Sequence, residues 1–220
     1  KDTGSIKNDH HVAMRFGIGI ALILFGIVTF FPIPVMHIFT TETTIVKEGC
    51  VYLSIIRFTY LFFAVTTILL ATLRTVQVVK IALMLSIVTL VVNYGINYTL
   101  IFGRFGAPRL GVTGAAIGTL VARILECGIV IFYSIRKEKI LDLKFRDYFQ
   151  QMDREIIADY GKVTRPMFLV QSLWGINTAL QTAILGHMTA RAIAANSVAS
   201  NLFLLVKSAA VGACSTASVI

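Results

Sequence analysis

The sequence predicts an all-α, polytopic membrane protein, and three observations lead to this prediction. Hydrophobic residues make up 56% of the 220 residues and charged residues only 14%, whereas a soluble domain is nearer half apolar and a quarter charged. The apolar residues come in long unbroken runs without strict alternation, which favours membrane helices over membrane strands. The positive charges, finally, collect in every second loop between these runs.

Six apolar runs are each long enough to cross a bilayer as a helix. A helix rises about 1.5 Å per residue, so roughly 20 residues cover the ~30 Å of hydrocarbon. The runs lie at residues 12–36, 48–73, 81–103, 111–135, 166–188 and 192–220. Because the first residue is not Met and the last run carries no polar cap, we expect an internal piece of a longer, transporter-sized protein.

The net charge of +9 follows the loops. Segments 1–15, 74–80 and 136–165 hold thirteen Lys and Arg, whereas the alternate loops hold four. Loops rich in Lys and Arg face the cytoplasm, so the alternation is consistent with six spans and sets their orientation. The basic balance therefore reflects membrane topology, and we expect no nucleic-acid partner.

Segment 136–165 separates the fourth run from the fifth. Phe145, Phe149, Met152 and Ile156 recur in it at spacings of three and four, with charged residues around the rest of the helix. This pattern predicts an amphipathic helix on the cytoplasmic membrane surface. It would link a four-helix bundle in residues 1–135 to two helices in residues 166–220.

Glycines mark the connection between the third and fourth runs. Gly103, Gly106 and Gly111 in "GRFGAPRLG" predict a tight outer turn. Gly114 and Gly118 then form a GxxxG motif, which lets helix backbones approach closely in a bilayer.

Three stretches together resemble one known family. They are "RTVQVVKIALMLSIVTLVVNYGINYTLIFGRFGAPRLGVTGAAIGTLVARILE", "RPMFLVQSLWG" and "HMTARAIAANSVASN". They are similar to the multidrug and toxic compound extrusion (MATE) family of secondary transporters. The spacing of amides, glycines and charges over two consecutive runs carries the resemblance.

The resemblance implies a fold of twelve helices in two six-helix lobes, related by an axis along the membrane normal. This chain would supply the third to eighth helices, with 136–165 as the link between lobes. The implied activity is Na⁺- or H⁺-coupled efflux of organic, often cationic, compounds by alternating access. No cofactor is implied beyond the coupling ion, and the partners would be a small organic substrate and the lipid bilayer, with no obligate protein partner.

The two amides of "VVNYGINYT" are the first candidate site. In the family, Asn93 and Asn97 match an amide and a second polar position, often acidic, that line a cation site together with a hydroxyl at the position of Thr119. Amide and hydroxyl oxygens suit Na⁺, but they need an anionic partner for strength, and here Asn97 stands where the acid can be. The alternative is that the amides join helices by hydrogen bonds of about 1 kcal/mol.

Glu126 is the only carboxylate well inside an apolar run, and Arg123 lies one turn before it. An ionisable group in hydrocarbon costs about 3 kcal/mol or more, so we expect the pair to face protein or a water-filled cavity. Residues three apart share a helix face and can neutralise each other. Either the pair is structural, or Glu126 takes up a proton or cation during transport.

Arg57 and Lys207 lie inside the second and sixth runs without an obvious local partner. With Arg123 they give three positive charges against one negative, and we assign all three to a substrate cavity. The excess leaves an anionic or zwitterionic substrate open. Gln171 and Trp174 join this cavity through the resemblance, because they match an acidic and an aromatic position of a subfamily pattern. Gln171 cannot carry charge, and Trp174 either stacks on a flat ligand or packs.

The leading function is therefore cation-coupled efflux across a bacterial or archaeal inner membrane. The alternative is a lipid-linked oligosaccharide flippase of the same superfamily, for which the basic residues could bind a pyrophosphate. An enzyme is not expected, because the runs hold no HExxH, no Ser/His/Asp arrangement, no acidic metal cluster and no P-loop.

Overall fold

A computed structural model describes residues 3–75, 80–104, 106–137, 154–188 and 190–217, and every regular element among them is helical. The prediction of an all-α fold is confirmed. In chain order the helices are α1 (Thr3–Phe30), α2 (Pro32–Phe39), α3 (Thr43–Ile56), α4 (Thr59–Thr75), α5 (Lys80–Phe102), α6 (Val112–Lys137), α7 (Arg154–Gly186) and α8 (Ala190–Ala217).

Four of the six predicted spans meet the length and composition of a membrane-crossing helix. Three are single helices, within Asp9–Phe30, Lys80–Phe102 and Val112–Arg136, and the fourth is the bent pair of α3 and α4. Within the described residues, α7 and α8 are helical but do not meet the same criterion. Amides interrupt α7, and amides and Lys207 interrupt α8. Their crossing of the membrane stays a prediction.

The first two predicted spans are both broken. The first ends as α1 at Phe30, and α2 starts with Pro32, whose ring lacks an N–H and suits a first helical position. The second begins earlier than predicted, at Thr43, and is interrupted at Arg57, where the axes of α3 and α4 differ by 48°. No Pro or Gly stands at this second break, so composition gave no sign of it.

The core lies where α1 and α4 meet α6 and the start of α5. It consists of Met14, Leu69, Leu73, Leu85 and Val130, all of them buried. The same interface holds a polar contact that the sequence did not predict: the Nδ1 of buried His10 lies 2.7 Å from the Oγ1 of Thr72. His10 lies just before the first predicted span and Thr72 lies near the end of the second, so the sequence gave no reason to pair them. The packing of α1 against α4 brings them together.

The turn between α5 and α6 confirms the prediction from its glycines. Gly103, Gly106 and Gly111 have φ of 68°, 80° and 53°, a left-handed region in which glycine avoids the steric cost of a side chain. The backbone N–H of Leu110 donates to the carbonyl of Leu100 at 2.9 Å, which closes the turn and directs α6 back along α5.

The predicted linker is only partly within the described residues. The segment 138–153 lies outside them, so the spacing of Phe145, Phe149 and Met152 is not tested. The stretch from Arg154 onward differs from the prediction, because it forms one continuous 33-residue helix that passes through Pro166. α7 contacts α1 and α2, and its last residue, Gly186, lies against the carbonyl of Phe39.

Candidate functional site

The two amides predicted as cation ligands contact each other along α5. The Nδ2 of Asn97 donates to the Oδ1 of Asn93 at 3.0 Å, as the four-residue spacing allows. The Oδ1 of Asn97 is buried and has no hydrogen-bond partner among the described residues. One oxygen of the pair therefore remains available as an acceptor inside the protein.

Asn97 faces α6 at the GxxxG motif. A Cβ on Gly118 would collide with the Oδ1 of Asn97, and a Cβ on Gly114 would lie 2.9 Å from the backbone carbonyl carbon and oxygen of Leu100. Close approach through small residues is thus confirmed for this helix pair. The hypothesis that the amides hydrogen-bond across helices is not confirmed, since the described bond of Asn97 stays within α5.

Thr119 follows Gly118 on α6 but is turned to its own helix. Its Oγ1 donates to the carbonyl of Ala115 at 2.9 Å. A hydroxyl that donates in this way keeps its lone pairs free to accept. Among the described residues, no hydrogen bond joins Thr119 to Asn93 or Asn97.

Glu126 and Arg123 form the ion pair that their spacing predicted. The Nη1 of Arg123 lies 2.5 Å from the Oε2 of Glu126, and the two side chains are 34% and 10% exposed. The guanidinium of Arg123 also lies over the ring of Phe63 from α4, 5.1 Å from the ring centroid. The carboxylate is thus the more buried partner, and the arginine sits between it and an aromatic face.

The predicted cation-coupling residues therefore form two groups. Asn93 and Asn97 lie at the α5/α6 contact, with Thr119 beside it, whereas Glu126 lies two turns beyond Thr119 along α6 and pairs with Arg123. No hydrogen bond or ion pair connects the groups within the described chain.

The donors at the α5/α6 contact fit a sodium ion only in part. They offer amide and hydroxyl oxygens, including the unpartnered Oδ1 of Asn97, which are hard ligands of the right type. No carboxylate joins them among the described residues, and no cluster of three or more His, Cys, Asp or Glu side chains occurs there either. These residues alone supply neutral ligands without a counter-charge.

Arg57 has local partners that the sequence did not reveal, which corrects the expectation that it lacks them. It stands at the break between α3 and α4, and its Nη1 donates to the Oγ1 of Thr29 at 3.2 Å. Its guanidinium lies 5.5 Å from the ring centroid of Phe25 and 5.1 Å from that of Phe58. Its buried Nε has no acceptor among the described residues, so the charge is held mainly by aromatic faces and one hydroxyl.

Lys207 also has a partner, and that partner is another residue of the predicted substrate cavity. Its Nζ lies 3.6 Å from the ring centroid of Trp174, which joins α8 to α7. The indole remains 51% exposed, and Gln171, one turn earlier on α7, is exposed as well. The structure thus brings Gln171, Trp174 and Lys207 to one part of the α7–α8 pair, and no described hydrogen bond, ion pair or ring contact joins them to Arg57 or Arg123.

Sequence similarity to known proteins agrees with the helical architecture. The MatE family model matches residues 1–99. A probable multidrug resistance protein NorM of Streptococcus pneumoniae serotype 4 is 28% identical over 61% of this chain and 30% of its own length. The multidrug resistance protein NorM of Vibrio cholerae is 27% identical over 58% of this chain and 28% of its own.

A third relative extends the similarity over most of the chain. The probable multidrug resistance protein YoeA of Bacillus subtilis is 26% identical over 91% of this chain and 43% of its own length. The chain thus spans less than half the length of these curated relatives.

The names of these relatives describe multidrug resistance proteins, which agrees with the prediction of a transporter rather than an enzyme and gives no support to the flippase alternative. Their bacterial origin and the apolar helices indicate a multi-pass protein of a bacterial plasma membrane. The resemblance seen in the sequence is therefore confirmed: residues 1–99 match the model of the MatE family, and the similarity to bacterial multidrug resistance proteins reaches further along the chain.

Proposed function

We propose that the protein containing this chain is a secondary transporter that exports organic, often cationic, compounds in exchange for Na⁺ or H⁺. Residues 1–135 would belong to one lobe and 166–220 to the other, with 136–165 as the cytoplasmic link. Alternating access would come from movement of the lobes about a substrate cavity between them. The names of the NorM and YoeA relatives support the substrate class.

The observation that carries the proposal is the buried carboxylate of Glu126 in the middle of a helix apolar enough to cross a membrane. Such a group is costly in hydrocarbon and is retained where it faces protein, water or a transported ion. Its partner Arg123 is more exposed and stacks on Phe63. A proton or cation that binds Glu126 would therefore compete with Arg123 for the carboxylate.

Glu126 is a stronger candidate for the coupling residue than the amide pair. Asn93, Asn97 and Thr119 supply neutral oxygens only, so they cannot exchange charge by themselves. Their unpartnered oxygen at Asn97 supports a secondary role, as a ligand to a cation whose counter-charge comes from elsewhere in the protein.

The test is export of ethidium from vesicles that contain the intact, purified protein, with an imposed Na⁺ or H⁺ gradient. We expect one gradient to drive export, and we expect Glu126→Gln to depress it at least tenfold without loss of protein. Glu48→Gln is the matched control, since Glu48 is an exposed carboxylate on α3. Absence of gradient-driven export would contradict the proposed function, and full export by Glu126→Gln would reduce the ion pair to a structural role.

A further inference from the structure

We propose that the indole face of Trp174 is a binding surface for organic cations and that Lys207 occupies this face as a built-in competitor. The inference rests on the proposed function and adds to it the place where the transported cation is recognised. It also assigns Lys207 a role opposite to that of a ligand, since its ammonium would have to leave before a cation could bind.

The distance fixes how the two side chains meet. A cation that touched the edge of the indole would lie roughly 5 Å from the ring centroid, because the ring atoms extend outward and van der Waals contact adds about 3.5 Å. The Nζ of Lys207 lies at 3.6 Å. The ammonium is therefore over the π face, which is the attractive geometry for a cation.

The ring is the main partner that Lys207 has. Within the part of the chain that the structure describes, its ammonium takes part in no ion pair and no hydrogen bond with another side chain. An ammonium has three donors and is strongly hydrated in water, so contact with one aromatic face replaces only part of its hydration. The contact is consequently one that another cation can displace.

An organic cation would compete well for the same face. Trp binds cations better than the other aromatic side chains, and aromatic faces are the usual recognition element for quaternary ammonium groups. A cation whose charge is shielded by carbon loses less hydration than an ammonium on entering the site. Lys207 has a flexible four-carbon stem that can carry its ammonium to a hydrated position when it is displaced. The charge over the ring would stay constant while its carrier changes.

The surroundings of the pair allow this exchange. Trp174 is 51% exposed, and Gln171, one turn away on α7, exposes a neutral amide that can accept or donate a hydrogen bond. Because no described residue encloses the indole, its replacement leaves no cavity within the described chain. Variants at both positions can therefore be tested, with the melting temperature as the check on folding.

The experiment measures equilibrium binding of tetraphenylphosphonium to the intact protein in detergent, by dialysis. Lys207→Met removes the competing charge and keeps the length of the stem, and we expect it to tighten binding about 5- to 30-fold. Trp174→Leu removes the face and should weaken binding. In the double variant, Lys207→Met should give no further tightening, because the surface for which Lys207 competes is gone.

Two controls separate competition from a structural clamp. Lys207→Arg keeps a cation over the ring and should leave the affinity within about twofold of the wild type. Phe132→Leu removes a cation–π contact with Arg136 elsewhere on the protein and should leave it unchanged. If Lys207 only fastens α8 to α7, Lys207→Met and Trp174→Leu would lower the melting temperature alike and neither would tighten binding, which would overturn the proposal.

The outcomes also distinguish this inference from the proposed function. Gradient-driven export of ethidium with unchanged tetraphenylphosphonium affinity in Lys207→Met would overturn the competitor and leave the transporter intact. No binding by the wild type and none by Lys207→Met would overturn the cation surface itself. Tightened binding by Lys207→Met without any export would support the surface and contradict the transport.

Discussion

The helices α1–α6 and the pair α7–α8 are held together in different ways. In the first group, α1, α4 and α6 enclose buried side chains such as Leu73 and Val130, and α5 approaches α6 through Gly114 and Gly118. In the second, no side chain that the structure describes between residues 160 and 212 is buried. The contact that stands out there is between Lys207 and Trp174.

The difference separates contacts that the described helices make with one another from contacts that lipid or further helices must supply. Backbone approach and a shared core fix α1–α6 relative to one another, so their polar groups have defined partners such as Arg123 for Glu126. The pair α7–α8 keeps most of its described apolar surface facing outward, where lipid or further helices must cover it in a membrane. Packing changes should therefore matter in the first group and be tolerated on those faces of the second that lipid covers.

The largest difference in stability is expected between leucine substitutions at two glycines. Gly114→Leu places a side chain against the backbone of Leu100 and should cost about 3 kcal/mol of unfolding free energy or more, because backbone cannot move aside as a side chain does. Gly175→Leu on α7 meets no atom within 4 Å and should change stability by about 0.5 kcal/mol or less. Thermal unfolding of the intact protein in detergent measures both, and equal losses would contradict the contrast.

Sequence alone was sufficient where the signal is local. Long apolar runs predicted the helices, closely spaced glycines predicted the α5–α6 turn, and a spacing of three predicted the contact between Arg123 and Glu126. Each of these depends on residues close together in the chain, for which helix geometry fixes the relation.

Contacts between helices were not predictable, because they depend on how each helix is rotated and how far it slides. Arg57 contacts Phe25 and Thr29 near the end of α1, because the break between α3 and α4 lies beside that end. Lys207 and Trp174 lie on separate helices, and only the packing of α8 on α7 brings them together. The free oxygen of Asn97 likewise follows from its position opposite a glycine, where no donor is present.

A second, smaller effect is expected at the ion pair. Glu126→Gln leaves the guanidinium of Arg123 without its carboxylate and should cost about 2 kcal/mol, between the values typical of exposed and of buried pairs. The double variant Arg123→Gln/Glu126→Gln removes both charges and should recover most of this loss. Thermal unfolding provides the stability, and ethidium export from vesicles provides the activity.

Stability and activity together decide what the pair does. If Glu126 couples transport to an ion, the double variant should be stable and still fail to export. Recovery of export along with stability would mean that the pair is structural. Glu126 would then be a packing residue of α6 and not a transport residue.

The amide pair should show a third effect, mainly on ion dependence. Asn97→Ala loses one hydrogen bond to Asn93 and a buried acceptor that already lacks a donor, so its stability should change by about 1 kcal/mol or less. If the free oxygen binds Na⁺, the Na⁺ concentration for half-maximal export should rise roughly tenfold, equal to about 1.4 kcal/mol. Thr99→Val is the control on the same helix, since within the described residues that hydroxyl bonds to the carbonyl of Gly95 alone. An unchanged Na⁺ dependence in Asn97→Ala would assign the amides to packing.

The smallest contrast uses two arginines of α6 that have the same geometry in different surroundings. Arg123 lies 5.1 Å from the ring centroid of Phe63, and Arg136 lies 5.1 Å from that of Phe132. Arg123 sits inside a candidate span, where water screens the attraction little, whereas Arg136 lies at its end. Phe63→Leu should therefore cost about 1–2 kcal/mol of unfolding free energy and Phe132→Leu about 0.5 kcal/mol, in line with desolvated and exposed cation–π contacts.

Added salt should reduce the cost of Phe132→Leu and leave the cost of Phe63→Leu nearly constant. Equal costs with equal salt dependence would place both arginines in water and would contradict the burial of the Arg123–Glu126 pair within the membrane.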